Sequence, residues 1–298
     1  MQYILYLAHS NEGYINECRF SLLKYLSVYN LKPPKETAVI IYTDKPALFE
    51  NFIPFFPTFI IEEISAEKVK SWKEGTGYVH RAKPKMIQHF FSKYEGNVIF
   101  FDTDTYITDP IEPLWKELEK ETIYFHQSEG VIDHLQNPDF KKWDLFLQKA
   151  SINYSDKKFV YAKDFQIWNS GVLGLNARLA PVIDEVLMLI DAIYKQFPKH
   201  IAEQVACSYC LQGHGPIKSA KESVAHYWNL KEFRTLLHYF FIKNEEESIP
   251  NQVKAAHPID AKKIEEEKEA FEALPFYKKW MTAIKGNHWS IKKYLSKI

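Results

Sequence analysis

The chain has 298 residues, 46% of them hydrophobic, and its 38 Lys plus Arg balance 38 Asp plus Glu. That length allows one large or two small domains, and that apolar share supplies a sizeable core. The balanced charge gives no global field to recruit nucleic acid. Three cysteines, Cys18, Cys207 and Cys210, are too few and odd in number for a disulfide-stapled domain. Cys207 and Cys210 are spaced as CxxC, but a structural zinc site needs a second ligand pair and none is visible. They read as small apolar side chains on a buried helix face. The start, Met1-Gln2-Tyr3-Ile4-Leu5, lacks the basic region of a signal peptide. No run approaches the roughly 20 uncharged apolar residues of a membrane span. The expected location is cytoplasmic, with contact at a membrane surface left open.

Residues 3–8 are a short apolar run ending in His9-Ser10-Asn11, a buried strand feeding a loop. Apolar residues recur at helical spacing over 15–28, and Pro33-Pro34 ends that pattern. Residues 38–42 and 59–64 predict two more buried strands, the first ending in Thr43-Asp44. A helix is predicted over 84–94 with Pro84 in its first turn. After the turn Gly96-Asn97, residues 98–101 form a fourth buried strand, and 115–120 look helical. Residues 165–175 are strand-like with Asn-Ser-Gly inside them; 180–194 and 202–211 predict helices. Beyond about 215 the patterning weakens, apart from a charged helix over 264–273. Residues 275–298 carry Lys278, Lys279, Lys285, Lys292, Lys293 and Lys297 among Trp280, Trp289 and Tyr294, without an acid. That composition suits docking on anionic lipid; an ordinary basic terminal helix is the plainer reading. Strands alternating with helices imply a parallel or mixed α/β sheet, whose ligand crevice lies beyond the carboxyl ends of the strands. His9, Asp44, Asp102 and Asp104 all follow strand ends.

The segment Val98-Ile99-Phe100-Phe101-Asp102-Thr103-Asp104 places two carboxylates directly after a buried strand. On a strand, positions i and i+2 share a face, so Asp-x-Asp sets both groups on one side. Carboxylates this close repel one another, and a hard divalent cation such as Mg²⁺ or Mn²⁺, shared with a diphosphate, relieves the repulsion. A solvated loop with ordinary Asp caps is the plainer alternative.

The ordered motifs of residues 1–232 resemble the GT-A-fold glycosyltransferases, particularly the glycogenin-like and bacterial lipopolysaccharide-sugar-transferase group. Ile99-Phe100-Phe101-Asp102-Thr103-Asp104-Thr105 is similar to that family's hydrophobic DxD strand end, and Asp109-Pro110-Ile111-Glu112-Pro113-Leu114-Trp115 to the segment after it. Trp168-Asn169-Ser170-Gly171-Val172 resembles its aromatic-Asn-Ser-Gly segment, and Glu203-Gln204 its acidic-Gln pair. Ala225-His226-Tyr227-Trp228-Asn229-Leu230-Lys231 resembles its His-containing segment, with Asn229 where glycine is usual and Lys231 one residue early.

The resemblance implies a single Rossmann-like GT-A domain over 1–232 with a central mixed, mostly parallel sheet flanked by helices. Residues 233–298 would be a mainly helical extension that shapes the acceptor side. It implies a metal-dependent, retaining transfer of a sugar from a nucleoside diphosphate, UDP favoured, to a glycan or lipid-linked hydroxyl in bacterial-type glycan or lipopolysaccharide synthesis. Asp102, Asp104 and His226 would hold Mn²⁺ or Mg²⁺, with His238 and His257 as rivals to His226. Lys85 would approach the donor phosphates, with Arg81 and Lys83 as rivals, and Lys231 would add charge there. Asn169, Glu203 and Gln204 would hold the donor sugar at the reacting carbon. His9, Asp44 and Thr103 would line the nucleotide, although Asp44 is also placed as an N-cap before Lys45-Pro46. Three competing classes fit less of the chain. A DxD phosphatase wants Thr or Val where Tyr106 stands. A nucleotidylyltransferase wants a glycine-rich basic loop where His9-Ser10-Asn11-Glu12-Gly13 stands. A non-catalytic carbohydrate-binding protein explains the drifted His226 segment.

Overall fold

The computed structural model describes residues 1–73, 75–284 and 288–297; Lys285 of the basic tail lies outside the described residues. In chain order the elements are β1 (Gln2–Ala8), α1 (Glu12–Val28), β2 (Thr37–Thr43), β3 (Thr58–Glu63), α2 (Ala66–Trp72), α3 (Ala82–Lys93), β4 (Asn97–Phe101) and β5 (Thr105–Ile107). Then follow α4 (Glu112–Leu118), β6 (Ile123–Val131), α5 (Pro138–Lys149), the small hairpin β7 (Asn153–Tyr154) and β8 (Lys157–Lys158), and β9 (Gln166–Leu175). The rest is α6 (Ala180–Gln196), α7 (Ala202–Leu211), β10 (Ile217–Ser219), β11 (Val224–His226), α8 (Phe233–Lys243), α9 (Ile249–Ala256), α10 (Ala261–Glu272) and α11 (Phe276–Ile284).

Seven strands form one sheet in the order β10-β6-β9-β4-β1-β2-β3. All neighbours run parallel except β9, which is antiparallel to both β4 and β6. This is the mixed, mostly parallel α/β sheet expected from the sequence. Both faces are buried, and the period of two divides them: Ile4, Tyr6, Val39, Ile41, Ile99 and Phe101 enter one core. Leu5, Ile40, Tyr42, Val98 and Phe100 enter the other. The first core packs against α1, α4 and α8 to α10, the second against α2, α3 and α5 to α7. α8, α9 and α10 therefore share a core with α1 and cover one face of the sheet. Cys18, Cys207 and Cys210 are buried and unpaired, the latter two on α7. No helix among the described residues is long and apolar enough to cross a membrane.

Candidate active site

Asp102 ends the ladder of β4. Its N–H donates to Gly171 O at 2.8 Å, while the N–H and Oγ1 of Thr105 return to Asp102 O at 3.1 and 2.7 Å. The chain thus turns tightly over 102–105, so a turn and not a strand pleat brings the carboxylates together, contrary to the geometry expected from sequence. Past the turn, β5 pairs antiparallel with β11, setting Thr105 opposite His226. Tyr227 N–H also donates to Asp104 O at 3.1 Å. Two distant segments are thereby clamped, and Asp102, Asp104 and His226 each offer a ligand atom within 4.8 Å of the others. His238 and His257 are elsewhere, on Glu12 at 3.0 Å and Ser27 at 2.8 Å.

The tautomer of His226 follows from its neighbours. Asn169 Nδ2 donates to Glu129 Oε1 at 2.9 Å and Asn169 Oδ1 accepts from Gly171 N–H at 3.0 Å, which fixes the amide's orientation. That Oδ1 also lies 3.1 Å from His226 Nδ1, so Nδ1 carries the proton. Nε2 then faces Asp104 Oδ1 at 3.2 Å. A lone pair facing a carboxylate needs a cation between them, either a proton on Nε2 or a metal ion. Two carboxylate oxygens and an imidazole whose other nitrogen is already tied fit Mn²⁺ or Mg²⁺ in donor chemistry. Burial pushes the Asp104 carboxyl up, but the charge and hydrogen bond of His226 overcome this and hold it below the ordinary range. Asp102 is raised to about 6 by burial, against the opposing pull of Lys83.

Lys83, not Lys85, is the helix lysine at the carboxylates. Its Nζ lies 3.0 Å from Asp102 Oδ2 and Ser170 O, and 3.6 Å from Glu203 Oε2. Burial pulls this ammonium down, while Asp102 and Glu203 more than restore it, leaving it raised. Lys85 instead donates to Gln88 at 2.6 Å, and Arg81 pairs with Asp191 on α6 at 2.7 Å. Successive turns decide this, because residues two apart on a helix are about 200° apart around the axis. Glu203 is 3% exposed. It accepts from Ser170 Oγ at 2.9 Å and Cys207 Sγ at 3.3 Å as well as meeting Lys83. Its carboxylate holds Lys83 and Ser170, where sequence reasoning gave it to the donor sugar. The polar groups of Asn169 are likewise engaged within the protein, where sequence reasoning gave them to sugar hydroxyls. The neighbouring Gln204 Nε2 is buried without a partner.

Thr103 Oγ1 donates to Glu17 Oε2 at 3.3 Å, and Arg234 Nε meets Glu17 Oε1 at 3.0 Å. Burial and the nearby Asp104 raise Glu17 to about 7, despite Arg234. Glu17, Glu129, Lys83 as the paired cation, and Arg234 are site residues that sequence reasoning missed or left as rivals. Lys231 is exposed just before α8, and its side chain bonds to none of these groups. Asp44 does not cap a helix. Both its oxygens accept from Ser10 N–H, at 3.1 and 3.0 Å, bracing the β1–α1 loop where Ser10 has φ +66°. His9 is half-buried beside Ser10, and burial, aided by Lys73 against Asp44, lowers its pKa.

No family model matches the chain, and no curated protein matches it. Among solved structures, it is similar to mouse xyloside xylosyltransferase 1 in its apo form, at 13% identity and TM-score 0.46, over 74% of this chain and 85% of that one. It is similar to the galactosyltransferase LgtC in complex with donor and acceptor sugar analogues, at 13% identity and TM-score 0.46, over 72% of each chain. A third is a putative glucose-1-phosphate thymidylyltransferase from Bacillus anthracis, at 13% identity and TM-score 0.40, over 80% of this chain and 95% of that one.

Proposed function

We propose that the protein transfers a sugar from a nucleoside diphosphate donor, UDP favoured, to a hydroxyl of a glycan or lipid-linked glycan, in bacterial-type glycan or lipopolysaccharide synthesis. The observation that carries this is the Asp102, Asp104 and His226 cluster at the carboxyl end of the sheet. Bound there, Mn²⁺ or Mg²⁺ supplies a Lewis acid for the charge that develops on a leaving diphosphate. The protein's own part is to hold the ligands: Asn169 sets the His226 tautomer, and Lys83 keeps Asp102 ionised. Thr103, tied to Glu17 and Arg234, fixes the turn between the two aspartates. Asp44 and His9 shape the adjoining loop for the nucleotide, and Lys231 adds charge from the exposed rim. Gln204 as a contact to the donor sugar and retention of configuration are both kept from the family resemblance alone. The β1–α1 loop is short and carries no Lys or Arg, which disfavours the triphosphate chemistry of a nucleotidylyltransferase.

The test is release of sugar from a panel of nucleotide sugars with Mn²⁺, comparing wild type with Asp102→Asn and Asp104→Asn. The reading requires both variants to lose at least about a hundredfold in rate. Wild-type rates in both would contradict it.

We propose further that α11 rests on an anionic membrane surface. Phe276 is 84% exposed, Trp280 60% and Tyr277 59%, beside Lys278 and Lys279. Exposed aromatic side chains among cations suit the lipid headgroup boundary.

A further inference from the structure

A cavity adjoins the carboxylate cluster. It has a volume of about 330 Å³ and lies between β5, β6, β11 and the start of α10, a size suited to a small ligand. His226 is part of its wall, so whatever sits there is beside the cluster.

The wall carries an acceptor with nothing to accept from. His126 is 4% exposed, and its Nε2 lies 3.2 Å from Val224 O. A carbonyl only accepts, so Nε2 holds the proton and Nδ1 keeps its lone pair. The ring is buried and has no acceptor at Nδ1, so nothing there stabilises a second proton. Its Nδ1 has no partner. The sequence builds this on purpose-shaped backbone: the register of β6 against β9 shifts between Phe125 and Gln127, a bulge centred on His126. Bulges beside sites re-aim a side chain. A buried polar atom without a partner is a cost to the fold that a ligand donor removes.

The other walls suit a polyol. Trp228, half-buried, offers an indole 4.9 Å from the His226 ring and 6.2 Å from His126. An aromatic face packs against the C–H face of a sugar. Gln127 and Lys221 contribute a primary amide and an ammonium. The charges nearly cancel. Lys262 is held by Glu265 at 2.8 Å, and Asp260 also lines the cavity while accepting from Tyr106 at 3.1 Å. A net-neutral cavity with an aromatic platform, mixed donors and one orphan acceptor favours an uncharged sugar over an anionic one.

We propose that this cavity binds a neutral sugar ring, the terminal residue of the acceptor, with a ring hydroxyl donating to His126 Nδ1 and the apolar face stacked on Trp228. His126 and Trp228 both line the cavity, their rings 6.2 Å apart. The role as acceptor rests on the sugar-transfer reading; occupancy by a sugar does not.

The experiment is saturation-transfer NMR on the full chain with EDTA and no nucleotide. The probes are the methyl glycosides of glucose, galactose and N-acetylglucosamine, each anomer, at about ten millimolar, because single sugars bind weakly. The expected result is transfer to at least one glycoside, weakened by about tenfold in His126→Phe, which keeps an aromatic side chain and loses both ring nitrogens. Trp228→Leu, expected to weaken the same glycoside, serves if His126→Phe does not fold. No transfer to any probe, or wild-type binding by the folded variants, overturns the proposal. Mn²⁺-dependent UDP binding is measured in parallel on wild type. UDP binding without glycoside binding overturns the cavity proposal and leaves the transferase reading; glycoside binding without UDP binding supports the cavity and overturns UDP as the donor nucleotide.

Discussion

Gly171 is the residue against which the His226 imidazole lies: a Cβ built on it would stand 2.2 Å from His226 Cε1 and 2.4 Å from Nδ1. The close approach needs a residue without a side chain, on the buried strand that also receives the Asp102 N–H. Replacing Gly171 by Ala therefore displaces His226 from both Asn169 and Asp104. We expect Mn²⁺ affinity to fall by about 10–100-fold, with a stability loss of about 1–3 kcal/mol from overpacking. Calorimetric titration and thermal unfolding measure the two; unchanged Mn²⁺ affinity in a folded Gly171→Ala protein would rule out His226 as a ligand.

Lys83 and Lys85 separate two helix lysines that look alike in sequence. Lys83→Met leaves Asp102 and Glu203 without their buried cation, and breaking such a network costs about 3–5 kcal/mol. Lys85→Met removes a half-exposed bond to Gln88 and should stay within about 0.5 kcal/mol. Urea unfolding of both variants decides, and equal losses would show that Lys83 has no special place in the site.

Glu17 predicts a pH dependence for the metal-free protein. Its carboxyl titrates at about 7 in the fold against an ordinary 4.5, raised by burial and then by Asp104. The folded chain thus holds a proton that the unfolded chain releases, so stability falls as pH rises. This contribution is fully present below pH 4.5 and lost by about pH 7. Glu17→Gln should flatten the stability profile over that window. A slope identical to wild type would assign the dependence to other groups.

For α11, wild type should co-sediment with vesicles containing anionic lipid and be released by salt. The protein lacking residues 275–298 should not. Equal binding of both forms removes the membrane proposal.

Much of the sheet could be read from sequence because its strands are buried on both faces. The runs at β1, β2 and β4 are nearly all apolar, and the carboxylates follow one of them directly. β6 was missed for a physical reason. Ile123, Tyr124 and Phe125 are buried, but the strand then turns polar through His126-Gln127-Ser128-Glu129, where it borders the site. With it went His126 and Glu129. Glu17 sits on α1 with Arg19 and Lys24 on the same helix, so its carboxylate reads as solvated; only Arg234, on α8, brings out its buried position. His226 was legible because its segment kept its order relative to the DxD and Asn-Ser-Gly segments. Lys83 could not be chosen over Lys85 without the helix's orientation against β4 and β9.

The claim that the cluster of Asp102, Asp104 and His226 is a metal-dependent diphosphate site is tested most directly by titrating UDP into the wild-type protein with and without Mn²⁺, and into Asp104→Asn with Mn²⁺. The account predicts binding by wild type only when Mn²⁺ is present, and none above background by Asp104→Asn. Equal UDP affinity with and without Mn²⁺, or wild-type affinity in Asp104→Asn, would contradict it.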